Sequence, residues 1–268
     1  MRSALPKVLH ELAGRPMIGH VLANVGALQP ARVVVVIGPQ HERVRQVVAP
    51  HAVAIQDRPL GTAHAAAAGL EALGKWSGDV LILFGDAPLI EPATLRRLVA
   101  KRRKAKAALA VLGFRPVDPS PYGRLVTGKD GTLEQIVASN EADAVQRKIG
   151  LCNSGAMVVD GALLPALLRQ VSDSNKKHEY YLTDLVVLAR KAGRRCAYVE
   201  GPADEFLGIN NRAELALAEG ALQQRLRARA MERGASLLDP ATVWLAWDTV
   251  LGRDVTVGPN VMFGPGVK

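Results

Sequence analysis

Cysteine, aromatic side chains and long apolar runs are all scarce in this 268-residue chain, and each scarcity excludes something. Two cysteines occur, Cys152 and Cys196, far apart and in neither metal-ligand nor C-x-x-C spacing. That excludes a disulfide framework and fits buried structural thiols in a reducing compartment. Aromatics are 4% of residues, and none lies within the densest basic run, Lys101, Arg102, Arg103, Lys104 and Lys106. With no ring to stack on bases, the run reads as the solvated end of a helix rather than a nucleic-acid patch. No stretch is apolar for long enough to cross a bilayer, and the N-terminus carries no signal pattern, so a cytoplasmic protein away from the membrane is expected.

What is present is a globular composition. Hydrophobic residues make up 49% of the chain and charged residues 22%, enough for a buried core and too much apolar content for intrinsic disorder. The net charge of +9 suits small polyanions, because a basic surface steers any phosphate-bearing partner.

From residue 15 helical and strand-like segments alternate, as expected for a mostly parallel sheet covered by helices. "PMIGHVLANVGAL" carries helical spacing and "RVVVVIG" is a β-branched run. The same rhythm continues through "HERVRQVV", "AVAIQ", "GTAHAAAAGLEAL", "DVLILFGD", "PATLRRLVAKRRK" and "AALAVLGF". Between residues 116 and 138 a turn-rich, hairpin-like insertion intervenes, with "KDGT" as its turn. "GLCNSGAMVVD" predicts a further strand, and "GALLPALLRQV" and "YYLTDLVVLARKAG" predict helices, the second stopped by Gly193. A long helix is expected from about residue 212 to 233, ended by Gly234. Beyond it the period changes. Leu251-Gly252, Val257-Gly258 and Phe263-Gly264 recur every six residues, as do Val255, Val261 and Val267, the signature of a parallel β-helix.

The candidate chemistry starts at Asp86, which follows Gly85 at the carboxyl end of the apolar strand "VLILF", where ligands bind in open α/β sheets. A carboxylate there holds a divalent cation on a phosphate, or else it is a turn or N-cap aspartate. Gln56 offers an amide that donates and accepts, which suits the edge of a base, or it is a solvated loop residue. His64, within "GTAHA", reads as structural, and the other five histidines form no metal-ligand cluster.

An ordered set of motifs weighs on these alternatives. Lys7 lies in L-P-K-V-L-H-x-x-A-G-R-P-M, Gln56 and Gly61-Thr62 in Q-x-x-x-L-G-T-x-H-A, and Asp86 in G-D-x-P-L-I. Gly123 sits in Y-G-R, Asn153 in C-N-S-G, Tyr181 and Thr183 in "EYYLTD", and Asn210 in G-I-N-N-R. Over the whole chain this resembles the uridylyltransferase domain of the bacterial bifunctional enzyme that makes UDP-N-acetylglucosamine, whose second half is a left-handed β-helix acetyltransferase. The resemblance implies an α/β fold: a Rossmann-like nucleotidyltransferase mixed sheet with helices on both faces over residues 1–210. It further implies a linker helix over 211–234 and the start of a hexapeptide-repeat β-helix over 235–268. The implied reaction is transfer of UMP from UTP to N-acetylglucosamine 1-phosphate with release of pyrophosphate. By the same resemblance Asp86 and Asn210 are the Mg²⁺ ligands and Lys7 binds phosphate. Gln56, Gly61 and Thr62 would meet the nucleotide, with Gly61 giving backbone groups access to the base. Gly123, Asn153, Tyr181 and Thr183 would meet the sugar phosphate, core packing being the other reading of Tyr181. The full-length family forms a homotrimer through its β-helix, and its acetyltransferase half is not represented in these residues.

Two departures from that family shape the expectations. Its glycine-rich loop, L-A-A-G-x-G-T-R-M, ends at a Met that aligns with Met1, so the loop's backbone N–H groups and arginine are missing here. Little or no turnover is therefore expected of these residues alone. The absent strand, central in the family's sheet, would leave two neighbouring strands with unpaired edges. Second, Ala138 stands where the family usually has a sugar-contacting Glu. Either Glu141 or Glu134 reaches in, or sugar recognition is weakened. These departures keep a second reading open, a non-catalytic sugar-nucleotide-binding or assembly homologue, and a basic nucleic-acid binder comes last.

Overall fold

The computed structural model describes residues 1–267. A short hairpin, β1 (Glu11–Leu12) and β2 (Arg15–Pro16), leads into helix α1 (Met17–Gly26). Then β3 (Val34–Ile37), α2 (Glu42–Val48), β4 (Ala52–Ile55), α3 (Thr62–Leu73) and β5 (Asp79–Ile82) alternate, followed by α4 (Pro92–Ala105) and β6 (Leu109–Phe114). The turn-rich stretch supplies β7 (Arg124–Thr127) and β8 (Leu133–Val137), and the chain returns as β9 (Cys152–Asp160). After it come α5 (Leu164–Leu168), α6 (Asp184–Lys191) and β10 (Cys196–Glu200), then the long helix α7 (Arg212–Glu232) and two short strands, β11 (Ser236–Leu237) and β12 (Thr256–Val257).

Two compact units emerge. One comprises residues 1–23, 85–89 and 207–267, the other residues 24–84 and 90–206.

The larger unit carries an α/β layer, with strands in the order β10-β6-β9-β7-β8 and β5 added on β9. The sheet is mixed rather than mostly parallel. β10 runs parallel to β6, whereas β9 is antiparallel to β5, β6 and β7. The cause is the absence of a helix between β6 and β9. A parallel return needs a crossover of a dozen or more residues, usually helical, and here the β7–β8 hairpin fills the interval instead. β6 is buried at every position, and its Leu109 and Val111 join Met157 and Val159 of β9 with Leu185, Val186 and Ala189 of α6 in one core. β3 and β4 form a separate parallel pair under α3. Among the described residues no ladder joins β3 to β5, so each keeps an open edge.

Part of the basic run is spent inside the fold. Arg102 reaches Asp79 with Nε and Asp160 with Nη1 at 3.3 Å, and Arg103 adds a second contact to Asp79 at 2.5 Å. The Arg102 and Asp79 side chains are only 14% and 9% exposed. These ion pairs tie the last turn of α4 to the start of β5, so Arg102 is a structural cation, while Lys101, Lys104 and Lys106 stay in water.

In the smaller unit α7 is stitched to its surroundings by polar side chains. Glu219 accepts from the Ala13 N–H at 2.8 Å. The buried Gln223 amide donates to the Leu245 carbonyl at 2.7 Å and accepts from the Leu245 N–H at 2.9 Å. Ala218 and Leu222 pack with Leu12, Met17, Leu89 and Ile209, and further along Leu226 and Ala230 pack with Leu237, Val243, Leu245 and Val257. In the C-terminal segment β11 pairs in parallel with β12, and Trp244 bridges Met262 in the same sense.

The Asp79 cluster yields a paired test. Asp79→Ala leaves the largely buried Arg102 guanidinium with Asp160 as its remaining counterion and is expected to cost about 2 kcal/mol in urea unfolding, the usual loss of a charged hydrogen bond. Arg103→Ala, whose side chain is 67% exposed, is expected to cost less than about 1 kcal/mol.

Candidate functional site

Three of the residues singled out in the sequence meet in the smaller unit. Lys7 opens a single helical turn, Lys7–Leu9, with Leu9 buried beneath it. Its ammonium donates to Asp86 Oδ2 at 2.5 Å and to Asn210 Oδ1 at 3.0 Å. Gly85 lets the chain carrying Asp86 run close to Val8 and Ile18, where an added Cβ would lie 3.1 Å and 3.3 Å from their methyl carbons. The Asp86 carbonyl accepts from the Ile209 N–H at 3.1 Å, so residue 86 and the neighbour of residue 210 are hydrogen-bonded through their backbones. Nearby His10 is buried, and burial, followed by the Arg212 charge, holds its imidazole below the usual range and therefore neutral.

This arrangement fits a hard divalent cation. A carboxylate oxygen and a carboxamide oxygen already converge on one positive charge, the Lys7 ammonium, and both are the oxygen donors that Mg²⁺-like ions prefer. Among the described residues no group of three or more His, Cys, Asp or Glu could hold a metal. Two donors alone leave most of an octahedral shell to water and phosphate oxygens, the usual state of such ions at nucleotide sites.

The other predicted residues lie in the larger unit. Gln56 follows β4, its N–H donating to the Ile37 carbonyl at 2.9 Å, which sets it at the carboxyl end of the β3–β4 pair. Its Nε2 lies 3.0 Å from the Gly61 carbonyl and 3.1 Å from His64 Nδ1. The amide is thereby turned, and among the described residues its Oε1 accepts nothing. Gly61 is explained by the chain rather than by a base alone. It has φ of +117°, and a Cβ there would come within 2.5 Å of the Tyr180 carbonyl oxygen. Around it residues 60–63 are zipped to 180–182. Tyr180 N–H donates to Leu60, Ala63 N–H donates to Tyr180, and Leu182 N–H donates to the Thr62 hydroxyl at 2.9 Å. The zip brings Thr62 beside Tyr181 and Thr183.

Tyr180 packs on the core, and its neighbour Tyr181 is half-buried. Burial, and then the carboxylates of Glu179, Glu141 and Asp184, push the Tyr181 phenol up. Burial and then Glu141 push the Asp184 carboxyl up as well. Gly123 and Asn153 are joined by a 2.8 Å bond from the Asn153 N–H to the Gly123 carbonyl, and Asn153 Oδ1 accepts from Gly155 at 3.0 Å. Of the two glutamates weighed near Ala138, Glu134 lies 4.0 Å from the Arg190 guanidinium, whereas Glu141 acts on Tyr181 and Asp184. Of the two, Glu141 is the one whose charge is felt by this segment. A separate groove between α3 and α5, lined by Leu70, Trp76, Pro165 and Leu168, includes none of these residues.

Two contributors were not foreseen. His64 touches the Gln56 amide, and Glu214 holds the backbone of Asn210. The second was readable as an Asn-x-x-Glu spacing at a helix start.

Residues 1–154 match the MobA-like NTP transferase domain. The chain belongs to that family. It carries, accordingly, a nucleotidyltransferase domain. Among curated proteins it is similar to "Bifunctional protein GlmU" of Paramagnetospirillum magneticum, 54% identical over 268 residues, which are 100% of this chain and 60% of that protein. It is also similar to the protein of the same name from Rhodospirillum rubrum, 58% identical over 257 residues, covering 96% and 57% of the two chains. For that of Novosphingobium aromaticivorans the identity is 49% over 267 residues, covering 98% and 59%. The chain thus spans about three-fifths of the length of these relatives. No helix among the described residues is long and apolar enough to cross a membrane.

The Glu141 contact can be read by titration. A negative charge favours the protonated form of its neighbours, so Glu141→Gln is expected to move both the Asp184 carboxyl and the Tyr181 phenol to lower pKa, measured by ¹³C NMR. Unchanged titrations in the variant mean that Glu141 does not face them. For the zip, Gly61→Ala is expected to destabilise by more than about 1 kcal/mol in urea unfolding, because φ is positive and the new methyl meets backbone.

Proposed function

We propose that this chain is a uridylyltransferase, moving UMP from UTP to N-acetylglucosamine 1-phosphate and releasing pyrophosphate in the presence of Mg²⁺. The observation that carries the reading is the convergence of Asp86 Oδ2 and Asn210 Oδ1 on the Lys7 ammonium. Family membership and the names of the relatives support it.

The chemistry asks little of a general base. The second pKa of a phosphate monoester is about 6, so a sugar 1-phosphate is already ionised near neutral pH. One of its oxygens attacks the α-phosphorus of UTP, and the bond from that phosphorus to the bridging oxygen breaks. The electron pair leaves with pyrophosphate. The task is to align two polyanions and neutralise their charge, so positioning and electrostatics dominate. Asp86 and Asn210 would hold Mg²⁺, which when bound supplies a Lewis-acidic positive charge to phosphate oxygens. Lys7, already at that point, would turn its ammonium to the triphosphate.

Gln56, oriented by His64 and Gly61, presents its free Oε1 to the uracil edge, whose N3–H is a donor. Gly61 and Thr62 shape the adjoining turn. Gly123, Asn153, Tyr181 and Thr183 would contact the sugar phosphate. Glu141 stands in for the carboxylate that Ala138 does not supply. We further read residues 211–234 as the linker and 235–268 as the start of a parallel β-helix, supported by the parallel pairing of β11 with β12 and of Trp244 with Met262. The last of these residues, Lys268, lies outside the described ones. The cytoplasmic setting belongs to this same reading, while the homotrimer stays a property of the full-length family.

The test is pyrophosphate release by a protein containing these residues, supplied with UTP, N-acetylglucosamine 1-phosphate and Mg²⁺. Release is expected to need all three and to fall by about 10²–10³-fold in Asp86→Ala or Lys7→Ala, the usual loss when one charge-stabilising group is removed. Release with CTP or dTTP in place of UTP would assign another nucleotide. Binding of UTP with no release under any condition would make the chain a non-catalytic binder.

A further inference from the structure

Glu214 spends both carboxylate oxygens on the two asparagines that precede α7. Oε2 accepts from the backbone N–H of Asn210 at 2.5 Å, and Oε1 accepts from the side-chain amide of Asn211 at 2.8 Å. In return Asn211 Oδ1 accepts from the Glu214 N–H at 2.9 Å, which makes Asn211 the N-cap of the helix. A helix cap of this kind ordinarily closes on the backbone N–H of the N-cap residue itself. Here the glutamate reaches one residue further back, to the residue whose side-chain oxygen faces Asp86 and Lys7.

That displaced bond adds to two other holds on Asn210, the Met1 ammonium on its carbonyl at 3.2 Å and the Lys7 ammonium on its Oδ1 at 3.0 Å. Asn210 is exposed, and an exposed side chain keeps its rotamer freedom unless something restrains it. Its backbone is held on one side by the Ile209 N–H on the Asp86 carbonyl and on the other by Glu214. The two bonds together set the direction in which the Asn210 Cα–Cβ bond leaves the chain, and with it the place of Oδ1.

We propose that Glu214 is a positioning residue for the metal site, orienting Asn210 so that its oxygen and that of Asp86 share one cation. The proposal rests on the metal reading of Asp86 and Asn210 given above, and the experiment separates the two. Mn²⁺ is titrated into the chain while paramagnetic broadening is followed at the Gly85 N–H and the Asn210 side-chain amide. In the wild-type chain both signals are expected to broaden, and Asp86→Ala is expected to abolish the response.

Glu214→Ala is expected to raise the Mn²⁺ concentration for half-broadening by about tenfold or more, the usual effect of removing a residue that orients a metal ligand. Glu214→Gln keeps an oxygen acceptor for the Asn210 N–H and is expected to recover most of the affinity. Ala228→Gly loosens the same exposed helix without approaching its start and is expected to leave the titration unchanged. An unaltered titration in Glu214→Ala overturns the proposal, as does equal weakening in Ala228→Gly, which would mark a general helix effect. A wild-type chain that ignores Mn²⁺ at both signals overturns the metal reading, and this proposal with it.

Discussion

The arrangement depends on two oxygen atoms, far apart in sequence, being held on one positive charge. Neither Asp86 nor Asn210 is buried, so hydrophobic packing does not place their side chains. Backbone places them. The Ile209 N–H on the Asp86 carbonyl fixes the spacing of the two segments, while the fully buried Ile209 and the nearly buried Leu89 anchor the chain on either side. The electrostatic demand of the site is met by geometry set in its immediate supports, which lets the donors remain open to water and to a phosphate.

The larger unit solves a related problem with different parts. There the chain needs a loop from 56 to 62 and a segment from 180 to 183 to stand side by side, and it joins them by backbone bonds in the manner of a short ladder. A glycine at 61 permits the close approach, and a threonine hydroxyl at 62 supplies an acceptor where the backbone does not. Polar atoms that could have faced a ligand are thus partly consumed by structure, and Gln56 keeps its carbonyl oxygen free because its nitrogen is engaged.

Much of this was legible in the sequence, and the failures share a cause. Periodicity located β3, β4, β6, β9 and the span of α7 well, since each is decided by local pattern and burial. It overextended α5 and α6. Pro165 suits the first turn of a helix, so α5 starts at Leu164, and residues 180–182 are committed to the 60–63 segment, so α6 cannot begin before Asp184. The alternation of segments also favoured a mostly parallel sheet, whereas β9 runs antiparallel to β5, β6 and β7 in the mixed sheet that the resemblance implies. Lys7, Asp86 and Asn210, singled out from their motifs, are brought together by the structure. Glu214, which holds Asn210, and His64, which touches Gln56, act through another residue; only the first leaves a trace in the sequence, the Asn-x-x-Glu spacing.

Helix α7 begins two residues after Asn210, behind its N-cap Asn211, and ends beside β11, within one compact unit. Its 21 residues make a rod of about 32 Å at the ordinary rise of 1.5 Å per residue. Such a rod is a lever. A tilt of about 5° at its first turn sweeps its far end through about 3 Å, so a small adjustment at Asn210 becomes a side-chain-sized displacement at the terminal strands.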